Sequence, residues 1–290
     1  MLHVYQSKDT AACLTSRRVV FIGDSVTRKL YFQFVHIVDS KLPSAPPDEK
    51  SKHSDYSFTS ESGATLDFFW DPYLNTSRTL SLIHGYIPSP DTHDRLAMLV
   101  LGSGLWYLRY SDMTGGLQAW EANMERLLES ISVPQIKLAD EVVFLPVEDI
   151  VPSKLSPQRA ETMHSSDVDA MNSDLYHRIN PPSSDLHSIF SSSPPPLPIS
   201  LPLVFNKMLD ADTTEDGLHF SDDIVKAQAN ILLNLRCNKL WPKSSFDKTC
   251  CRAYPPPSFL QLAVLAAVVV YGPVMWYLTC KHILLWKART

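Results

Sequence analysis

An α/β fold built on a parallel sheet is predicted by three observations. Short apolar runs recur at 19–22, 66–70, 96–101 and 141–145, and segments with apolar residues at helical spacing lie between them. Each run is closed by turn residues: Gly23, Asp71-Pro72, Gly102-Ser103-Gly104 and Pro146. The runs at 19–22 and 96–101 are apolar at every position, as a strand covered on both faces requires, and strands alternating with helices give a parallel sheet.

In chain order, the first strand, 19–22, runs into Gly23-Asp24-Ser25, and a helix follows from about Val26 with Leu30, Phe34, Ile37 and Val38 on one side. Residues 41–62 are rich in proline, serine and charge and read as a loop. The second and third strands, 66–70 and 96–101, precede an amphipathic helix over 116–131, carried by Trp120, Met124, Leu127 and Leu128. After the fourth strand, 141–145, a weaker helix is expected over 157–178, a Pro/Ser-rich mobile insertion over 181–202 and a brief strand over 203–205. Ser221 is the expected N-cap of a last helix, with Asp222 and Asp223 suiting its positive end and Ile224, Ile231, Leu232 and Leu235 its apolar side.

At 290 residues the chain has room for one domain plus appendages, here 1–250, 258–280 and a tail at 281–290. A net charge of -5 and a pI near 6.0 argue against a nucleic-acid partner. The 23 residues of 258–280 carry no charged side chain. As a helix rising ~1.5 Å per residue they would span about 34 Å, enough to cross a membrane, and a C-terminal transmembrane helix is expected there. Basic residues flank the segment on both sides, so the charge rule does not orient it.

Of the five cysteines, Cys13, Cys237, Cys250, Cys251 and Cys280, none has zinc-site spacing. A disulfide from Cys237 to Cys250 or Cys251 is one expectation; reduced, buried cysteines are the other. Asn75-Thr76-Ser77 is a glycosylation acceptor sequence. No histidine pair is backed by carboxylates, so no metal site is expected.

The chemistry concentrates at two points. Ser25 stands just past a strand end, where parallel sheets place their sites. Far along the chain, Asp216-Gly217-Leu218-His219 puts a carboxylate three residues before a histidine. A serine hydroxyl needs a neighbouring base, imidazole is suited to that work near neutral pH, and a carboxylate can hold the ring in the right tautomer. Ser25, His219 and Asp216 are therefore the candidate nucleophile, base and orienter of an acyl-transfer enzyme. Trp106, Tyr107 and Arg109 follow the third strand and offer an aromatic platform with an arginine that could bind a sugar; a core tryptophan beside a solvated arginine is the alternative. Arg28 is a candidate contact for an anionic substrate, with a surface arginine as the default.

Val20-Phe21-Ile22-Gly23-Asp24-Ser25-Val26-Thr27-Arg28, Phe69-Trp70-Asp71-Pro72-Tyr73-Leu74-Asn75, Gly102-Ser103-Gly104-Leu105-Trp106 and Asp216-Gly217-Leu218-His219 together resemble the GDSL/SGNH esterase and acyltransferase superfamily. Within it, the chain is similar to the N-terminal (PC-esterase) domain of the sialate and capsule-polysaccharide O-acetyltransferases. That resemblance implies a three-layer α/β/α SGNH-hydrolase-like domain, a lumenal position on Golgi membranes and a glycan or polysaccharide substrate. It implies Ser25 as nucleophile, His219 as base, acetyl-CoA as the ultimate acetyl donor with no bound cofactor, and a separate multi-span membrane module handling that donor. The superfamily's Gly-x-Asn oxyanion motif has no Asn here. Gly102-Ser103-Gly104 stands in its place; the Ser25 N–H is one expected donor and Gly63 a candidate second, with Gly102, Gly104 and Trp106 as further oxyanion or substrate-binding candidates. Three readings follow: an O-acetyltransferase, an esterase of the same fold, and a non-catalytic glycan-binding relative.

Overall fold

The computed structural model describes residues 3–48, 51–84, 96–132, 138–181 and 199–239. The described chain runs α1 (Ser7–Leu14), β1 (Arg18–Gly23), α2 (Ser25–Val38), β2 (Tyr56–Thr59), β3 (Thr65–Trp70), α3 (Ser77–His84), β4 (Leu96–Leu101), α4 (Leu105–Arg109), α5 (Ser111–Thr114), α6 (Gly116–Ile131), β5 (Ala139–Phe144), α7 (Pro157–Ala160), α8 (Ser165–Ile179), β6 (Ile199–Ser200) and α9 (Asp222–Cys237). All of these lie in one unit, Leu2–Asp247; the other, Met1 with Lys248–Thr290, falls outside the described residues.

The six strands form one sheet in the order β2-β3-β1-β4-β5-β6. β3, β1, β4, β5 and β6 pair in parallel, and β2 pairs antiparallel on the edge of β3. The sheet is thus mixed, where a purely parallel one was expected. The parallel strands follow a doubly wound order, and the winding reverses between β1 and β4. A crevice opens at such a reversal, beyond the carboxyl ends of the strands. Ser25 is placed there.

β1 shows why its run is apolar throughout. Val20 and Ile22 pack on one face with β4 residues Leu99 and Leu101 and with Trp120, Met124 and Leu127 of α6 and Met171 of α8. Val19 and Phe21 pack on the other with Leu30 and Phe34 of α2, Leu14 of α1 and Leu232 of α9. Side chains alternate across a strand, so burial on both faces leaves no position for a polar residue.

Four local expectations are corrected. The 41–62 segment holds β2, whose Tyr56 and Phe58 pack on the core beside β3. The helix over 157–178 is two helices, α7 and α8, with a break at 161–164 that buries Met163. The strand expected at 203–205 is a 3-10 helix, Leu203–Met208; the strand lies earlier, as β6, and ends before Pro202, which has no N–H for the ladder. β6 falls within the expected 181–202 insertion; 182–198 lie outside the described residues.

The disulfide expectation is also corrected. Cys237 is bonded to Cys13, in the unforeseen α1, which packs beside α9. Both cysteines are buried. Cys250, Cys251 and Cys280 lie outside the described residues.

The transmembrane expectation, and the single-pass Golgi-membrane placement built on it, are corrected as well. Among the described residues no helix is long and apolar enough to cross a membrane. The longest, α6 and α9, have 16 residues each and carry charged side chains, whereas a span needs about 20 apolar residues. The segment 258–280 lies outside the described residues.

Candidate active site

The turn after β1 is built by exclusion. A Cβ on Gly23 would sit 2.4 Å from Thr27 Oγ1 and 2.5 Å from the Gly102 carbonyl, so only glycine lets α2 start this close to β4. Asp24 then caps the helix: its Oδ1 accepts from the Val26 N–H at 3.0 Å and the Thr27 N–H at 3.3 Å. The Arg28 N–H goes to the Asp24 carbonyl. Of the first-turn donors of α2, this leaves the Ser25 N–H.

The second half of the site is a loop pinned at several points. Thr214 and Phe220 form an isolated antiparallel bridge. Gly217, at φ +76, has no room for a Cβ, which would meet the Val151 carbonyl at 2.7 Å. Lys29, one turn on from Ser25, ties the two halves together by donating to the Phe220 carbonyl and pairing with Asp222 at 3.0 Å. Ser221 occupies the N-cap of α9, but its hydroxyl makes no cap hydrogen bond.

These constraints bring three sequence candidates together. His219 Nε2 lies 2.9 Å from Ser25 Oγ, and His219 Nδ1 lies 2.9 Å from Asp216 Oδ2. Asp216 Oδ1 accepts from the Leu218 and His219 N–H groups at 3.0 and 2.9 Å, and Arg159 Nη1 donates to Oδ2 at 3.0 Å. Burial raises the Asp216 carboxyl, but the hydrogen bonds from the His219 ring and backbone, the His219 charge and the Leu218 N–H outweigh it, holding the group far below the usual carboxylate range. With Oδ2 fixed, the Nδ1 side of the ring is the N–H side, and Nε2 faces Ser25 as acceptor.

The pocket around these atoms is lined by Ser25, His219, Trp106, Arg109, Arg159, Met163 and neighbouring Asp24, Val26, Leu105 and Leu218. Trp106 stands edge-on to Trp70 with ring centres 5.5 Å apart, and the Arg109 guanidinium lies 5.8 Å from the Trp106 ring and 5.1 Å from that of Tyr110. His53 stacks on Trp70 at 4.4 Å and Arg28 lies 5.5 Å over the same ring. Tyr107 turns inward instead, buried with its hydroxyl donating to the Tyr73 carbonyl.

The expected glycine donors are corrected. The Gly63 N–H donates to the Ser60 carbonyl in the turn between β2 and β3, beside Ser16 and so at the opposite end of β1 from Ser25. The Gly102 N–H is taken by the Ile22 carbonyl in the extended sheet ladder. Gly104 precedes α4 with its α-carbon against Val147, where a Cβ would lie 2.6 Å away. Neither Gly102 nor Gly104 lines the Ser25 pocket; Trp106 does. Arg159 and Lys29 were not singled out from sequence. Arg159 lies 57 residues from its partner Asp216, and Lys29 carries only the weak signal of standing one helical turn from Ser25.

No protein-family model matches the chain. Among curated proteins, it is 22% identical over 272 residues to the N-acetylneuraminate (7)9-O-acetyltransferase of Danio rerio, an alignment covering 93% of this chain and 32% of that protein. It is 28% identical over 109 residues to the protein of Oryza sativa subsp. japonica named "Probable xylan O-acetyltransferase 8", covering 33% of this chain and 25% of that one. It is 34% identical over 67 residues to protein trichome birefringence-like 3 of Arabidopsis thaliana, covering 23% and 15%. The chain thus spans about a third or less of the length of these relatives, two of which are named as O-acetyltransferases, one of N-acetylneuraminate and one of xylan.

Proposed function

We propose that this chain carries an O-acetyltransferase domain that moves an acetyl group onto a glycan hydroxyl through an acetyl-Ser25 intermediate. The observation that carries the reading is the continuous Ser25–His219–Asp216 hydrogen-bond chain opening into one pocket. The names of two relatives agree with it.

In the first half-reaction His219 Nε2 takes the Ser25 hydroxyl proton as Oγ attacks the acetyl carbonyl. The Ser25 N–H, the first-turn donor left free by the Asp24 cap, faces the charge developing on the carbonyl oxygen. Collapse expels the donor's leaving group, which takes the proton from His219. In the second, a sugar hydroxyl gives its proton to the same nitrogen and attacks the acetyl carbonyl, and the proton returns to Ser25 Oγ. Asp216 holds the ring through both steps and stabilises its positive charge. Trp106 offers an aromatic face to the sugar, with Arg109 beside it. The acetyl group would come ultimately from acetyl-CoA, delivered by a separate acetyl-handling module.

Hydrolysis is the second reading, favoured by one observation. The His219 and Asp216 side chains are 33% and 38% exposed, so the base and its orienter stand partly open to solvent.

The test offers the full chain an activated acetyl ester, with sialoside or xylan oligosaccharides as acceptors. Intact-mass analysis then looks for acetyl on Ser25 and on the sugar. Acetyl on both supports transfer; acetyl on Ser25 that passes only to water leaves the esterase. A folded chain that never carries acetyl on Ser25 overturns both.

Arg159→Ala is expected to slow acetylation of Ser25 about tenfold. That is the low end for a hydrogen bond to a charged group, discounted because the pair is 21% and 38% exposed. An unchanged rate would mean that the Leu218 and His219 amides hold Asp216 unaided.

A further inference from the structure

Beside the Ser25 pocket, distant stretches of chain bring aromatic rings and cations to one place. Trp70 ends β3, Trp106 and Arg109 lie on α4, and Arg28 stands on α2 one turn after Ser25. The Trp70 and Trp106 rings meet edge-on at 5.5 Å. His53, from the segment before β2, stacks on the first ring and stands edge-on to the second at 5.7 Å. Each tryptophan carries a guanidinium: Arg28 lies 5.5 Å from the Trp70 ring and Arg109 lies 5.8 Å from the Trp106 ring. Trp106 and Arg109 line the pocket that holds Ser25 and His219, so the two rings lead from the reacting atoms to Arg28.

The protein neutralises neither cation. Among the described residues neither Arg28 nor Arg109 pairs with a carboxylate, and Arg28 Nη1 is buried without a hydrogen-bond partner. Two neighbouring acids are already engaged. Asp24, whose charge reaches Arg28, uses Oδ1 to cap α2, and Asp55 accepts from the Trp70 N–H and pairs with Arg78. Burial, and then the Arg28, Lys52 and Arg109 charges, hold the His53 ring below the ordinary histidine value, so three cations face one small area. A chain of net charge -5 thus presents a positive patch beside this pocket.

We propose that Arg28 and Arg109, on the rings of Trp70 and Trp106, form a subsite for an oxyanion carried by the acceptor sugar, away from the hydroxyl that receives the acetyl group. A guanidinium offers planar, paired donors that match a carboxylate or a phosphate, and stacking on an aromatic face holds the fork in place. The carboxylate of an acidic sugar and the phosphate of a sugar phosphate present the same chemistry to it. A neutral acceptor leaves both guanidinium groups unmatched, and that difference gives the selectivity. The inference rests on the proposed function for the acceptor, but binding of the anion does not require Ser25 to react. The competing reading is cation–π packing that serves the fold alone.

Calorimetry on full-chain Ser25→Ala, in which no acetyl-serine can form, compares matched ligands: a sialoside and a glucuronide, each against its carboxamide, and glucose 1-phosphate against glucose. A charged ligand is expected to bind about tenfold tighter than its neutral partner, the scale of a charge-assisted hydrogen bond. A preference confined to the acids assigns the subsite to a carboxylate, and one confined to the phosphate assigns it to a phosphate. Arg28→Met and Arg109→Met keep an unbranched stem on the ring and lose the charge; each is expected to bring the preference towards one, and added salt to reduce it. Equal or absent binding of charged and neutral partners overturns the proposal, as does a preference that survives both substitutions. If Arg28→Met does not fold, Arg109→Met decides. If wild type never acetylates Ser25 while the arginine-dependent preference holds, the proposed transfer falls and the subsite stands. Acetylation without that preference does the reverse.

Discussion

Ser25→Ala is expected to bring acetyl-ester turnover by the full chain to background, a loss of at least about 10³-fold. In the proposed mechanism the hydroxyl carries the acyl group, and its partner nitrogen is already 2.9 Å away. His219→Ala should cost about as much, because a serine hydroxyl without its base is a poor nucleophile. The double variant should be no worse than either single one, since the two act as a unit. Asp216→Asn is the more discriminating change. It keeps the size of the side chain but offers an amide where His219 Nδ1–H needs an acceptor. The ring can then settle in the other tautomer, with Nε2–H facing Ser25, and a loss approaching 10⁴-fold, roughly, is expected. Ser25→Ala should melt near wild type, whereas Asp216→Asn should melt lower, because it gives up the hydrogen bonds that favour the Asp216 charge. Turnover that survives both Ser25→Ala and His219→Ala, at wild-type rates and with protein freed of contaminating esterase, would remove the mechanism.

The second large effect is expected from the Cys13–Cys237 disulfide, which joins residues 224 apart in sequence and ties α1 to α9. Cross-linking so long a loop restricts the unfolded chain; the entropic estimate is about 5 kcal/mol, and removing native disulfides typically costs 2–5 kcal/mol, roughly. For a domain of this size each kcal/mol corresponds to about 2–4 °C in melting temperature. Cys13→Ser is therefore expected to lower the melting temperature by roughly 5 to 15 °C, and reductant should do the same to wild type but not to the variant. Equal melting of wild type with and without reductant, after confirmed reduction, would show that α1 is held by its other contacts. Such contacts exist just before α1, where the Tyr5 N–H donates to Asn230 Oδ1 at 2.8 Å and the Tyr5 hydroxyl to Asn238 Oδ1 at 2.7 Å. A bond of this kind persists in oxidising compartments.

The elements legible in the sequence are those with a strong local signal. β1 and β4 are apolar at nearly every position because both faces are buried, and α6 and α9 repeat their apolar residues at helical spacing. β2 and β6, of four and two residues, are too short to show a pattern; they exist because a neighbouring strand edge offers hydrogen bonds. α1 shows no apolar period in the sequence because only Thr10, Cys13 and Leu14 of its eight residues are buried. The membrane-span reading rested on hydropathy at 258–280 alone, and no described helix supports it.

The candidate site divides in the same way. Ser25, Asp216 and His219 could be singled out because the chemistry of each needs its residue type at its place beside a turn. Whether an amide is free cannot be read locally: Gly63 and Gly102 look like donors, yet their N–H groups are spent in a hairpin turn and in the sheet. Arg159 and Lys29 act across 57 and 191 residues of chain respectively. By itself, then, the sequence determined the strand that presents Ser25 and the Asp216–His219 turn, since sterics and hydrophobic period act over a few residues. Only the tertiary structure decided which amides remain free and which cysteine pairs with Cys237. Those outcomes depend on burial and on hydrogen-bond partners brought together from distant parts of the chain.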